Sequence, residues 1–361
     1  MRVCLIGGVF GKPAEYRQTI TATPETTLLT GLGLRGCMVE ACSHYGPFDF
    51  DDFDVVHAHH LSYGALVAAA DCTRSAFVFT PHGDTPGSLL RTIAMRYVIR
   101  RADAVVALSQ AESVWQMKKW SARLDRQIVI PNGIDSSTFA FVPPHAPSNG
   151  PWKVLYVGQL VRAKGIFDLF DALALIASHA KLEFELQLVY QVATREADLR
   201  AYARRLGLRN VQFLGARTPK ELSRIYARSH FLVVPSLSEA LPSVITEAML
   251  VGRPVVATDV AAIAEQLAGF GLLVQPGSPP ELARAIRSLI KDYSAYTDRA
   301  AEASRSARQR FSIDRMLNEH LALYERVLAR GTNPRSHTVH VPVGFLGRSL
   351  AEYSRRASPN S

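Results

Sequence analysis

Twelve short apolar runs, each four to six residues long, recur along the chain in two series of six, with helix-patterned stretches between them. The first series lies near 2–6, 37–42, 54–58, 76–80, 103–108 and 127–131, and the second near 153–157, 184–189, 211–214, 231–234, 254–258 and 272–275. Continuous apolar runs of this length, without alternation, are the pattern of parallel strands buried on both faces. Helices between them are what parallel pairing requires, so the chain is predicted to be α/β with two parallel sheets. Thr23-Pro-Glu-Thr predicts a helix start, with Thr23 as cap and Pro24 in the first turn. Ser109-Gln-Ala-Glu112 predicts another, as a capping box. Pro143-Pro-His-Ala-Pro-Ser-Asn-Gly-Pro151 lacks periodicity and reads as a linker between domains at 1–145 and 152–311.

At 361 residues, 48% hydrophobic and 20% charged, the chain has ordinary globular composition and length enough for two cores. No apolar run reaches the ~18 residues of a membrane span, and Met1–Gly7 reads as a first strand rather than a signal peptide. Cys4, Cys37, Cys42 and Cys72 lack metal-ligand spacing and are expected to be reduced thiols, as in the cytoplasm. The net charge of +9 arises after residue 150, because basic and acidic side chains balance before it. An anionic ligand would favour that basic second half. Arg91, Arg96, Arg100, Arg101, Lys118, Lys119, Arg123 and Arg126 crowd one part of the first half. Such a helix can rest on an anionic membrane or present a solvated face. The basic tail, residues 331–361, holds a short apolar piece at Val339–Leu346 and is read as partly disordered or as a surface anchor.

Chemistry concentrates in Ser236-Leu-Ser-Glu-Ala-Leu-Pro-Ser-Val-Ile-Thr-Glu-Ala-Met249, just after the run Phe231–Val234. Pro242 suits the first turn of a helix, and Val244, Ile245, Ala248 and Met249 give it one apolar face. The free N–H groups at that helix start favour a diphosphate. Glu239 then sits in the loop beside them, and Glu247 lies at the edge of the apolar stripe, where a carboxylate can accept hydrogen bonds from paired hydroxyls such as a ribose offers. A helix cap and a solvated side chain are the plain alternatives.

This stretch resembles the signature of the family 4 retaining glycosyltransferases. Further segments match that family in the same order: Asp54-Val-Val-His-Ala-His59, Thr80-Pro-His-Gly83, Ala102–Ser109, Val129-Ile-Pro-Asn-Gly-Ile-Asp135, Tyr156–Gly165, Val211–Gly215, Gly252-Arg-Pro-Val-Val-Ala-Thr258 and Arg310-Phe-Ser with Tyr324. The resemblance implies a GT-B fold, two facing Rossmann-like domains with parallel sheets and an interdomain cleft. It implies an N-terminal acceptor-binding domain, completed by the C-terminal helix near 312–330, and a donor-binding domain at 152–311.

By the same resemblance, His82, Lys164 and Glu239 are the catalytic residues. Lys164 would meet the leaving diphosphate, Glu239 the transferred sugar, and His82 the sugar near its reacting carbon. Donor binding would involve Gln159, Lys164, Glu239, Ala240, Leu241, Pro242, Ser243 and Glu247, with Glu247 on the ribose. Gly7, Gly8 and Gly11 would form the acceptor loop. His57 and His59 fit either the acceptor cleft or packing. The chain departs from the family at Gln159, where an arginine is usual, at Ala240, where glycines are usual, and at Tyr190-Gln-Val, which replaces a glycine-rich turn. The paired glycines usual before the first long helix are also missing, with Thr23-Pro-Glu in their place.

The resemblance implies transfer from a nucleoside diphosphate sugar, with retention, to a lipid-linked, polysaccharide or small hydroxylated acceptor in polysaccharide or glycolipid assembly. No cofactor beyond the donor is expected, and no nucleic-acid partner. The acidic stretch Asp51-Asp52-Phe53-Asp54 is read as a solvated turn and not as an Asp-x-Asp metal motif, so metal-independent catalysis is expected. The chain is expected in the cytoplasm, with peripheral contact at the inner face of an anionic membrane. A nucleotide-sugar epimerase or phosphorylase would use the same scaffold, and the departures at Gln159, Ala240 and Tyr190 keep a non-catalytic scaffold open.

Overall fold

A computed structural model describes residues 1–12, 23–46, 48–82, 88–179, 182–191, 196–260 and 262–331. Gly83 and the tail from 332 therefore lie outside the described residues. The chain divides into two compact units, the first holding Met1–Gly133 and the segment from Ile313, the second Ile134–Ser312.

The first unit is built on one parallel sheet of β1 (Arg2–Ile6), β2 (Met38–Cys42), β3 (Val55–His59), β4 (Ala76–Thr80), β5 (Ala104–Ala107) and β6 (Gln127–Val129). Its strand order is β2-β1-β3-β4-β5-β6. Helices α1 (Pro24–Gly33), α2 (Tyr63–Asp71), α3 (Leu89–Arg101) and α4 (Gln110–Trp120) connect these strands. The Thr23 side chain accepts from Thr26 N and Thr26 reciprocates, so the expected cap is a full box. Ser109 likewise accepts from Glu112 N, but Glu112 takes the Leu108 N–H at 2.7 Å, one residue ahead of the expected reciprocal bond.

The second unit contains β7 (Trp152–Val157), β8 (Phe184–Val189), β9 (Val211–Gly215), β10 (Phe231–Val234), β11 (Val255–Thr258) and β12 (Gly271–Val274), in the order β12-β11-β10-β7-β8-β9. Helices α5 (Ile166–His179), α6 (Glu196–Arg205), α7 (Pro219–Arg228), α8 (Ser243–Val251), α9 (Ile263–Leu267), α10 (Pro279–Lys291) and α11 (Tyr293–Arg310) follow, and α12 (Ile313–Ala329) belongs to the first unit. The expected strands are therefore all present within a residue or two. Strands β3, β4, β5, β10 and β11 are buried along their whole length, which is why they read as unbroken apolar runs.

The division falls at Gly133/Ile134 rather than in the proline-rich 143–151 segment. Phe139 is buried in the core of the second unit, and Val142 accepts bonds from the Arg253 guanidinium and donates its N–H to Val251 O. The segment before the prolines thus packs on the second unit's own helices. In the first unit, Met316, Leu317, Leu323, Tyr324 and Val327 of α12 join the core formed by Val3, Leu5, Leu28 and Leu32. Among the described residues no helix is long and apolar enough to cross a membrane.

In each sheet the strand order reverses direction beside the first strand laid down. The reversal lies between β1 and β3 in the first unit and between β7 and β10 in the second. Loops beyond the carboxyl ends of strands at such a point diverge and leave a crevice, which is where open α/β sheets bind ligands.

Candidate functional site

In the second unit the loops after β7 and β10 carry the residues that the sequence singled out. After β7 the chain makes a short 3-10 turn, Arg162–Lys164, closed by Gly165 in the left-handed region at φ 66°. A Cβ on Gly165 would stand 1.8 Å from Pro235 O, so only glycine lets the two loops touch. Leu237 N donates to Ala163 O at 2.8 Å and ties them together. Lys164 Nζ then lies 2.7 Å from Glu239 Oε1, and the Ser236 hydroxyl donates to the same oxygen at 2.7 Å. Ser236 is itself positioned through its carbonyl, which accepts from Thr258 Oγ1. Burial, and then the Glu239 charge, push the Tyr156 hydroxyl above the ordinary phenol range, and it donates to Gln159 O at 2.7 Å. Gln159 itself is exposed at the loop.

Pro242 is the N-cap residue of α8 and not a residue of its first turn, since the helix begins at Ser243. No side chain caps it, and the buried Gln266 fixes the start of the helix by donating to Pro242 O at 2.9 Å and to Thr246 Oγ1 at 2.8 Å. Ala240 and Leu241 are half-buried just ahead of it, and Leu241 packs against the core. Glu247 is not at the edge of a stripe. From Ile245 to Val251 every residue of α8 is buried, and Glu247 is 2% exposed. The Tyr226 hydroxyl donates to Glu247 Oε2 at 3.0 Å. Burial raises the Glu247 carboxyl to about 7, opposed by the hydrogen bonds of Tyr226 and Ser243.

The first unit assembles a second group at its own reversal point. Gly7 follows β1, and Gly8–Gly11 form a 3-10 turn. A Cβ on Gly8 would approach His44 Cε1 to 3.0 Å, so this loop is closed tightly over a histidine. Gly11 is exposed, beside Ser43. His82, after β4, has φ 56°, and His60, after β3, has φ 62°. Two non-glycine residues in that strained region side by side mark a site where the surroundings impose the backbone. His59 Nδ1 lies 2.8 Å from His82 Nε2, with the rings stacked, and the His60 ring is 4.5 Å from that of His82. Glu25, in the first turn of α1, is buried with its carboxylate 3.9 Å from His60 Nε2.

His57 is the packing histidine of the pair that the sequence left open. It is wholly buried, with one ring nitrogen 2.8 Å from Tyr324 OH and the other 2.8 Å from Thr80 Oγ1. Burial first, then the neighbouring rings, push His57, His59 and His82 well below the ordinary imidazole range and His44 to about 4, and burial takes His320 to about 4 against its bond with Met316 O. These rings are therefore neutral near pH 7. Burial alone would raise the Glu25 carboxyl, but the facing His82 and His60 outweigh it and hold it below its ordinary value. Sequence reasoning missed Glu25, His44, His60, His320, Ser236 and Tyr226. Of these, Glu25 and Ser236 stood in segments already marked, the first where the family's paired glycines are missing and the second in the stretch that carries Glu239 and Glu247.

The basic cluster of the first unit is partly engaged within it. Arg101 donates to Ala69 O, Arg126 to Ala102 O and Arg96 to Lys119 O. At the start of α3, however, Leu89, Leu90 and Ile93 are exposed apolar side chains beside Arg91.

Comparison with known proteins bears on both units. A family model described as Glycosyltransferase Family 4 matches residues 41–138, and one described as Glycosyl transferases group 1 matches 151–292. The chain is 29% identical over 276 residues to the glycogen synthase of Mycobacterium tuberculosis strain H37Rv, covering 72% of this chain and 65% of that protein. It therefore spans less than two thirds of that relative's length. It is 26% identical over 343 residues to the D-inositol 3-phosphate glycosyltransferase of Gordonia bronchialis, covering 85% of this chain and 74% of that protein. Among solved structures, sucrose-phosphate synthase from Thermosynechococcus elongatus superposes with a TM-score of 0.77 at 19% identity, over 91% of this chain and 100% of that one. HepE from Anabaena, in complex with UDP, superposes with a TM-score of 0.72 at 22% identity, over 90% of this chain and 100% of that one. The α/β two-domain fold is that of the GT-B glycosyltransferases.

Proposed function

This chain belongs to the group 1 glycosyltransferases of family 4, and on that premise we propose that it moves a glycosyl unit from a nucleoside diphosphate sugar to an acceptor hydroxyl, with retention at the anomeric carbon and without a metal ion. The observation that carries the proposal is the Lys164–Glu239 pair at 2.7 Å, held at the sheet's reversal point beside the start of α8.

Each group has a role that its surroundings favour. The ammonium of Lys164 offsets charge growing on the leaving phosphate, and a preorganised cation there is worth several kcal/mol. The N–H groups opening α8 receive the diphosphate. Glu247, ionised on binding, accepts the ribose hydroxyls, and Glu239 turns from Lys164 to the sugar hydroxyls. Gln159, Ala240, Leu241, Pro242 and Ser243 line the donor. A double displacement of the glycosidase kind is not part of this reading, since Glu239 binds hydroxyls instead of attacking carbon. In the first unit, His82 holds the acceptor side of the sugar, and the Gly7–Gly11 turn admits the acceptor. HepE structures hold UDP and UDP-glucose, so a uridine nucleotide is the first donor to test. The acceptor class proposed is a lipid-linked or polysaccharide chain or a small polyol, reached at an anionic cytoplasmic membrane face through Leu89, Leu90, Ile93 and the adjoining arginines.

A thermal-shift panel of UDP-, GDP- and ADP-sugars tests the donor reading, because a ligand that binds only the folded state raises its melting temperature. One nucleotide class is expected to stabilise the protein, and Glu239→Ala to abolish transfer while the fold persists. A chain that no nucleotide stabilises, or a Glu239→Ala variant with unchanged turnover, contradicts it. Co-sedimentation with phosphatidylglycerol vesicles, lost on Leu89→Ser/Ile93→Ser, tests the membrane contact.

A further inference from the structure

Glu25 in the first turn of α1, His59 at the end of β3 and His82 just after β4 are far apart in the chain, yet one ligand atom from each lies within 4.8 Å of the other two. Two imidazoles and a carboxylate converging on one point are the donor set of a zinc-class ion with an open fourth position. A hydrogen-bonded pair, His59 Nδ1 to His82 Nε2 at 2.8 Å, is the competing account, and cobalt binding separates the two. The strained backbones of His60 and His82 favour a built site, because the fold holds both residues beside Glu25 at a conformational cost.

We propose that Glu25, His59 and His82 form a binding site for a divalent transition metal of the zinc class, with His60 at its mouth. The ion replaces the hydrogen bond between His59 Nδ1 and His82 Nε2, and the proton of that bond moves to the other nitrogen of the donating ring. Metal–nitrogen bonds of about 2.0–2.1 Å in tetrahedral geometry require those atoms to separate by a few tenths of an ångström beyond their present 2.8 Å. The side chain of His60 is 47% exposed, 3.9 Å from Glu25, and marks the route in. One consequence rests on the reading of His82 given above: an ion that occupies His82 removes it from the sugar, so zinc inhibits transfer reversibly.

Cobalt(II) titration of the untagged full chain tests the site directly. The expected result is one equivalent bound, with the ligand-field bands of a four- or five-coordinate ion, and its displacement by zinc. Glu25→Gln, which keeps the buried shape, is expected to weaken cobalt binding about tenfold or more, while leaving nucleotide-induced stabilisation unchanged. His59→Gln serves as the second variant if Glu25→Gln does not fold. Equal cobalt affinity in wild type and variant overturns the site, as does a spectrum without ligand-field bands. A thiolate-to-cobalt charge-transfer band would place the ion instead at Cys4 and Cys42, whose sulfurs are 3.5 Å apart, and would overturn it too. Cobalt binding at this site with transfer unimpaired by zinc refutes the role of His82 and leaves the metal site standing.

Discussion

Lys164 and Glu239 neutralise one another across 2.7 Å at the end of two loops that a single glycine allows to meet. A diphosphate entering this site competes with the Glu239 carboxylate for the ammonium. Glu239→Gln removes that competitor while keeping the size of the side chain. Nucleoside diphosphate without its sugar is expected to bind the variant up to about tenfold more tightly, about 1.4 kcal/mol, while turnover of the complete donor falls at least about a hundredfold. Titration calorimetry and steady-state kinetics on the same preparation check both. A parallel loss of nucleotide affinity would mean that Glu239 binds the nucleotide itself.

The buried Glu247 makes nucleotide binding depend on pH. Its carboxyl is raised to about 7 in the folded chain, from an ordinary 4.5. A raised acid contributes stability that is fully present below about pH 4.5 and is lost as pH rises through about 7. At about 1.4 kcal/mol per unit that loss is roughly 3 kcal/mol. Ribose hydroxyls need the ionised form, so nucleotide affinity is expected to rise between pH 6 and 8, with proton release below pH 7. Calorimetry in two buffers of different ionisation enthalpy measures that release, and Glu247→Gln is expected to abolish both it and the pH slope.

Gly165→Ala tests the contact between the loops. The new methyl group would meet Pro235 O at 1.8 Å on a residue already at φ 66°. The loops must separate, which moves Lys164 away from the diphosphate position. A displacement of about 1 Å at a reacting group costs on the order of a hundredfold in rate. Turnover is expected to fall by that amount, with the nucleotide thermal shift reduced.

Arg253 is structural, although it lies in a segment that matched the family. Its buried guanidinium donates to the carbonyls of Val142, Ala227, Ser229 and Val251. Arg253→Leu leaves those buried acceptors without their charged donor and is expected to cost about 3 kcal/mol of stability. Chemical denaturation of the second unit's tryptophan, Trp152, reports the loss, and no change in the midpoint would contradict the assignment.

Legibility in the sequence followed locality. The strands could be read because a parallel strand buried on both faces is apolar without interruption, as in Phe231–Val234 and Val255–Thr258. That Lys164 and Glu239 fall in loops beyond strand ends could be read because each follows such a run, where the chain must turn. Burial of Glu247 could not be read, since α8 is covered all round and a stripe of apolar residues does not report a buried acid among them. The unit boundary was misplaced because proline-rich composition marks a lack of helix or strand, not a lack of packing. Phe139 and Val142 sit on the second unit just before the prolines. The cluster of Glu25, His59 and His82 depends on how the start of α1 and the ends of β3 and β4 converge, and no spacing along the chain encodes that.

The central claim is that the Lys164 ammonium binds the donor's diphosphate. Titration calorimetry of the stabilising nucleoside diphosphate against wild type and Lys164→Ala tests it most directly. The account predicts saturable one-to-one binding to wild type and at least about a hundredfold weaker binding to the variant, close to 2.7 kcal/mol. Equal affinity in the two proteins, with the variant folded, would contradict it.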